Sequence, residues 1–258
     1  MGRIISVVNQ KGGVGKTTTS VNMAACLAVF NKKVLLVDID PQANAASGIG
    51  VRKDLVDVSV YNILVKEEPA VNIIQKTGIK NLDILPSHPD LSGAQVELVN
   101  MIARETKLKN GLAAIKDQYD YIIIDCPPSL GLLTVNALVA SDGLIIPIQC
   151  EYYALEGVAQ LMQTYNLVRQ HLNPALEIDG VLLTMFDKRI NLAQQVVDDI
   201  RAFFKGKVFN TIIPRNVRLS EAPSFGLPII FYDIKSPGAT SYMEFVEEVI
   251  EREKERVG

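Results

Sequence analysis

Apolar residues fall along this chain in two alternating patterns. Short unbroken runs occupy residues 4–8, 34–39, 82–85, 121–124, 144–148, 178–183 and 208–213. Runs of this length without polar alternation are how strands covered on both faces read. Between them, residues 18–30, 93–103, 156–171 and 192–204 carry apolar positions at helical spacing. Residues 242–256 place Phe245, Val246, Val249 and Ile250 on one side of an otherwise charged segment, which predicts a packing helix. Strand and helix in alternation imply right-handed crossovers. The predicted fold is therefore α/β, a mostly parallel twisted sheet flanked by helices on both faces. Residues 51–80 mix Val, Asp and Lys without a clean period and predict nothing definite.

The size of the chain fits this picture. A length of 258 residues with 48% hydrophobic content supplies a sizeable core, and no repeat or Gly/Ser-rich linker divides it, so one domain over 1–258 is expected. Charged residues make up 21% at a net charge of −3, which excludes both a disordered acidic tail and a globally basic coat. Cys26, Cys126 and Cys150 are widely spaced in apolar surroundings and are expected to be reduced core thiols of a cytoplasmic protein. His88 and His171 lack acidic or cysteine companions at ligand spacing. No run of about 18 apolar residues predicts a membrane span, and no targeting segment is visible.

In an open parallel sheet, ligands gather at the carboxyl ends of the strands, so the residues after each apolar run carry the chemistry. After the first run comes Gln10-Lys11-Gly12-Gly13-Val14-Gly15-Lys16-Thr17-Thr18, which opens directly into a helix. Glycines let backbone N–H groups curl around phosphate oxygens, and the helix N-terminus adds positive potential. Lys16 reaches the β/γ oxygens, and Thr17 is placed to ligate Mg²⁺. The competing reading is a glycine turn with a chance Gly-Lys-Thr. A strict phosphate-loop match needs glycine at position 10, where this chain has Gln10 followed by Lys11.

Two further strand ends bear carboxylates. The second run closes in Val37-Asp38-Ile39-Asp40-Pro41-Gln42, where Asp40 could also serve as the N-cap of a following helix with Pro41 in its first turn. A later run, Ile122-Ile123-Ile124-Asp125, ends in one aspartate, the Walker B arrangement that orders Mg²⁺. Cys126 follows it with no His at hand and reads as a packing residue.

The pattern Lys11-Gly-Gly-x-Gly-Lys16-Thr resembles the deviant Walker A loop of the ParA/MinD group of P-loop ATPases. That resemblance implies that Lys11 crosses a dimer interface to the phosphates bound by the partner, so that ATP drives homodimerisation. It implies that Asp40 positions the attacking water and that Asp38 helps order the metal shell. Residues 183–189 and 213–224 are similar to the chromosomal ParA/Soj branch. By that similarity Met185 and the backbone around Pro214 and Asn216 form the adenine pocket, and Arg189, Arg215 and Arg218 contact DNA. Plain core packing competes for Met185 and Phe186, and a solvated surface competes for each arginine.

Branches of the group differ in what the ATPase is for. A MinD-like division regulator ends in a basic amphipathic helix that lies on anionic membrane. Here residues 247–256 carry five Glu against three Lys/Arg, so no membrane partner is expected. An iron–sulfur reductase needs two presented cysteines, which Cys26 and Cys126 do not supply. Residues 181–240 hold eight Lys/Arg against five Asp/Glu, a local excess of +3 in an acidic protein. Such a patch suits nonspecific double-stranded DNA. The resemblance then implies a nucleoid-associated partitioning ATPase, slow by itself and stimulated by a ParB-type centromere-binding partner. With no helix-turn-helix ahead of the first strand, operator-specific recognition is not expected. A cargo-positioning ATPase of the same group uses the same chemistry with a different partner.

Overall fold

The computed structural model describes residues 2–151 and 156–257. Eight strands form one sheet: β1 (Arg3–Val7), β2 (Val34–Asp38), β3 (Gln75–Lys76), β4 (Leu82–Leu85), β5 (Tyr121–Asp125), β6 (Gly143–Gln149), β7 (Glu177–Phe186) and β8 (Val208–Pro214). Their order is β3-β4-β2-β5-β1-β6-β7-β8, and every pairing is parallel except that of β3 with β4. Each of the seven apolar runs forms a strand. The short antiparallel β3 lies inside the segment whose sequence has no clean period.

Because side chains alternate across a strand, the two faces of the sheet feed two cores. Leu35, Val37, Ile122, Ile124, Ile146 and Leu183 point into one, while Leu36, Ile123, Ile145 and Leu182 point into the other. Helices cover both. The helices are α1 (Lys16–Val29), α2 (Asn44–Gly48), α3 (Val60–Lys66), α4 (Leu91–Glu97), α5 (Lys107–Ala113), α6 (Leu132–Ala140), α7 (Glu156–His171), α8 (Asn191–Phe204), α9 (Val217–Glu221), α10 (Ile229–Tyr232) and α11 (Pro237–Val257). On the second face, α1 and α11 pack together, with Tyr242 and Phe245 fully buried and Tyr242 sharing a hydrogen bond with Thr19. The three cysteines are free and buried, as expected for core thiols.

One helix prediction needs correction, and one buried helix was not predicted. The segment 93–103 is α-helical only through Glu97, then tightens into a 3₁₀ turn, and Ala103 adopts a left-handed φ of 52°. Leu91, Ala94 and Leu98 reach the core and Met101 packs partly against it, but Val96, Val99 and Ile102 are exposed, so no continuous helical stripe runs on to residue 103. Conversely, α6 carries the sequence LLTVNALVA and is buried on nearly every side, which removes the polar stripe that marks a surface helix.

At the carboxyl edge of the sheet, β1 sits between β5 and β6, and chain connections run outward in both directions from it. Such a divergence opens a crevice above the strand ends, and the loop from β1 to α1 lies in it.

Candidate nucleotide-binding site

The loop between β1 and α1 is built by glycine geometry. Gly13 and Gly15 hold φ values of 75° and 90°, and Gly15 caps α1, accepting from the Thr19 amide at 2.8 Å. Those left-handed angles would strain any side chain-bearing residue. Asn9 shapes the entry to the loop: its Nδ2 donates to the Pro147 carbonyl at 2.8 Å, and its Oδ1 accepts from the Lys11 amide at 3.0 Å. Thr184 Oγ1 pins the far side by donating to the Val14 carbonyl at 2.9 Å. The loop thus has a fixed shape set by β6 and β7.

Gly12, Gly13, Gly15, Lys16, Thr17 and Thr18 line a cleft of about 330 Å³ together with Asp40, Gln42, Asn44, Pro128 and Met185. Lys16 is buried, its Nζ donates to the Lys11 carbonyl at 2.9 Å, and burial pulls its pKa down against the opposing pull of Asp125. A desolvated ammonium beside free backbone amides at a helix N-terminus is an anion site.

Behind the cleft wall stand two fully buried carboxylates. Asp125 accepts from Thr17 Oγ1 and from Ser20 Oγ, both at 2.8 Å. Burial raises its pKa to about 7, opposed by those two hydroxyl bonds. Asp38 lies beside it in register on β2. Its Oδ1 accepts from the Asp40 amide at 3.1 Å and its Oδ2 from the Ala46 amide at 2.9 Å, so both oxygens are engaged in fixing the loop after β2. Burial, then the neighbouring Asp125, raise its pKa well above the carboxylate range.

That loop corrects one reading of Asp40. Helix α2 begins at Asn44 after Ala43, so Asp40 is not its N-cap. Instead Asp40 Oδ1 accepts from the Gln42 amide at 2.9 Å, and the Asp40 carbonyl accepts from buried Ser87 Oγ. Asp40 is one of the residues that line the cleft.

The donor set fits Mg²⁺. Because Thr17 gives its only proton to Asp125, its oxygen lone pairs are left for a hard cation. Among the described residues no cluster of three or more His, Cys, Asp or Glu forms a protein cage.

Met185, at the end of β7, joins the cleft wall in a left-handed conformation with φ 53°. Pro214 pairs in register with Phe186 and the Arg215 amide donates to the Phe186 carbonyl at 2.9 Å, but of the three expected adenine-pocket residues only Met185 lines the cleft, not Pro214 or Asn216. Asn216 Oδ1 is buried without a hydrogen-bond partner among the described residues. An orphaned buried acceptor is costly and calls for a donor.

Lys11 stands apart. Its Nζ turns to Glu151 Oε2 at 3.7 Å rather than into its own cleft. The three arginines are exposed, and each faces a carboxylate. Arg189 bonds Asp187 at 2.6 Å, Arg215 faces Glu151 at 3.6 Å, and Arg218 meets Glu221 at 2.9 Å and Asp233 at 3.4 Å. Sequence reasoning missed Asn9, Ser20, Asn44, Ser87 and Thr184. None belongs to a spacing motif, and only register brings them to the site.

Comparison with known proteins places this geometry. The AAA domain family profile matches residues 2–178. The chain is 59% identical to the sporulation initiation inhibitor protein Soj of Bacillus subtilis, covering 96% of this chain and 98% of that one. It is 55% identical to the chromosome partitioning protein ParA of Myxococcus xanthus, covering 98% of this chain and 89% of the relative. Among solved structures, a cobyrinic acid a,c-diamide synthase from Mycobacterium smegmatis with bound ADP and magnesium superposes with a TM-score of 0.87 at 36% identity, over 98% of this chain and 96% of the other.

Proposed function

This chain belongs to the Soj/ParA family of chromosome-partitioning ATPases, and from that premise we propose that it is an ATP-switched partitioning ATPase working on nonspecific double-stranded DNA. The 36% identity to a synthase is well below the identity to Soj and does not displace this reading. One observation carries the mechanism. The loop backbone, Lys16, Thr17 and Asp40 share one cleft, while Lys11 faces out of it. A site whose second lysine points away is completed by a second copy, so ATP binding joins two subunits and Lys11 of each reaches the other's phosphates.

Within each cleft, backbone amides of residues 12–18 and Lys16 bind the β/γ-phosphate oxygens. Thr17 holds Mg²⁺ directly, Asp125 holds Thr17, and Asp38 contributes through the placement of the Asp40 loop. The ion supplies neutralising charge on the phosphates. Asp40 orients the attacking water. Met185, Pro214 and Asn216 take the adenine, with Asn216 Oδ1 accepting its amino group. No arginine lines the cleft among the described residues, which supports slow intrinsic turnover and stimulation by a ParB-type partner.

Arg189, Arg215 and Arg218 form the DNA face, and dimerisation doubles it on one particle. Among the described residues no helix is long and apolar enough to cross a membrane. The protein acts on the nucleoid in the cytoplasm.

The test is retention on nonspecific duplex DNA in ATP, ADP and no nucleotide at two salt concentrations, with Lys16→Ala beside the wild type. Salt-sensitive retention that requires ATP and disappears in Lys16→Ala is expected. ATP-dependent dimerisation without DNA retention would replace the DNA role with positioning of another cargo.

A further inference from the structure

Arg189 faces Asp187 and Arg218 faces Glu221 and Asp233, but Arg215 and Lys11 share one carboxylate at a third strand end. Glu151 follows β6. Its Oε2 lies 3.7 Å from Lys11 Nζ and its Oε1 lies 3.6 Å from Arg215 Nη2, and Gln149 Nε2 also donates to Oε1. The backbone sets this meeting. The Glu151 amide donates to the Gln149 carbonyl at 2.8 Å and the Cys150 amide to the Thr184 carbonyl at 3.1 Å, which holds the end of β6 against β7. Lys11 is anchored through Asn9 to β6, and Arg215 through Phe186 to β7.

We infer that Glu151 is a positioning residue, a shared restraint that holds Lys11 away from nucleotide and Arg215 away from DNA phosphate in the separate subunit. The inference rests on the reading that Lys11 acts on the partner's nucleotide and Arg215 on DNA. Each cation must leave the same carboxylate before it can engage. Losing one cation leaves the carboxylate's field to the other, so Glu151 raises the threshold of both steps at once. All three groups are partly exposed, which keeps each contact weak enough to break. An exposed pair of this kind shifts an equilibrium by about two- to five-fold.

The experiment compares wild type, Glu151→Gln, Arg215→Ala and the Glu151→Gln/Arg215→Ala double variant, with Glu247→Gln on exposed α11 surface as a charge control. Sedimentation gives the subunit concentration at half-dimerisation in saturating ATP. Duplex DNA affinity is measured in saturating ATP at low salt, at subunit concentrations above the dimerisation midpoint of every variant. Glu151→Gln is expected to lower the dimerisation midpoint about two- to five-fold, with or without Arg215. It is expected to raise DNA affinity by a similar factor only when Arg215 is present. A DNA gain that persists in the double variant, or Glu151→Gln behaving as Glu247→Gln does, would overturn the restraint. Wild type that fails to dimerise in ATP would overturn the underlying reading and the restraint with it.

Discussion

Thr17 donates its hydroxyl proton to Asp125 across 2.8 Å, although 108 residues separate them in the chain. The direction of this bond matters, because an aspartate that takes the proton turns the threonine oxygen into a pure acceptor toward the cleft. It also makes the charge of Asp125 part of the nucleotide site. Burial holds that carboxylate's pKa at about 7, and Asp38 beside it is raised as well, chiefly by burial and next by Asp125.

A pH dependence follows. A carboxyl whose pKa is raised on folding contributes stability below its unfolded pKa of about 4 and loses it as pH rises through the folded value. Ligand-free protein should therefore gain stability as pH falls from about 7 toward 4, by up to about 1.4 kcal/mol per pH unit for each extra bound proton. Asp125→Asn should flatten this window, because it removes one titrating group and relieves Asp38. Urea unfolding at several pH values in EDTA checks it. Parallel curves for the two proteins would show that Asp125 is ionised in the free protein. With Mg²⁺ and nucleotide the trend should reverse, since the carboxylate is then needed charged.

Asn216 should read the base. Its buried Oδ1 lacks a partner among the described residues, and an adenine amino group supplies the missing donor, whereas hypoxanthine presents an oxygen there. Wild type should prefer ATP to ITP by about 10- to 100-fold, the cost of an unpaired buried acceptor. Asn216→Ala should erase most of that preference while leaving ligand-free stability unchanged or slightly higher. An unaltered ATP-to-ITP ratio in Asn216→Ala would remove the residue from the adenine pocket.

Much of this was legible in the sequence because local patterns carried it. The seven apolar runs became strands since burial on both faces leaves no polar alternation to interrupt them. The phosphate loop was readable because glycine, lysine and threonine sit at fixed offsets on one continuous segment. Helix α6 was missed because the core surrounds it, and residues 98–103 were over-read because exposed Val99 and Ile102 imitate a buried stripe. Asp40 remained ambiguous because its role depends on where α2 starts, and that start follows from Asp38 accepting the Ala46 amide. Ser20, Thr184 and Glu151 carry no local signature at all. Their meaning comes from strand register.

Two glycines should separate folding from binding. A Cβ at Gly180 on β7 would lie 2.7 Å from Phe209 Cζ and 2.9 Å from the Lys207 carbonyl, and Phe209 is itself packed edge-on against Phe245. Gly180→Ala should cost about 1–3 kcal/mol of stability while leaving nucleotide affinity near wild type. A Cβ at Gly12 meets nothing within 4 Å but projects from the loop that lines the cleft. Gly12→Ala should keep the melting temperature and weaken ATP binding at least ten-fold. Calorimetry and nucleotide titration on the pair test this, and equal loss of both properties in both variants would refute it.

Arg218 is the sharpest probe of the DNA face, because its environment makes two readings distinguishable. It is about half exposed and faces Glu221 and Asp233, so in isolation it resembles an ordinary surface ion pair worth little to stability. If it exchanges those carboxylates for DNA phosphate in the ATP dimer, Arg218→Ala should lower the slope of log affinity against log salt by about 0.9 per subunit, or about 1.8 per dimer. Affinity should fall similarly on every duplex sequence, since phosphate contacts carry no base information. ATP-driven dimerisation should be unchanged, which separates loss of a DNA contact from loss of the switch. A variant that keeps the wild-type slope while binding DNA more weakly would place Arg218 outside the phosphate contacts. The contact surface would then have to be sought around Arg189 and its exposed neighbour Lys188.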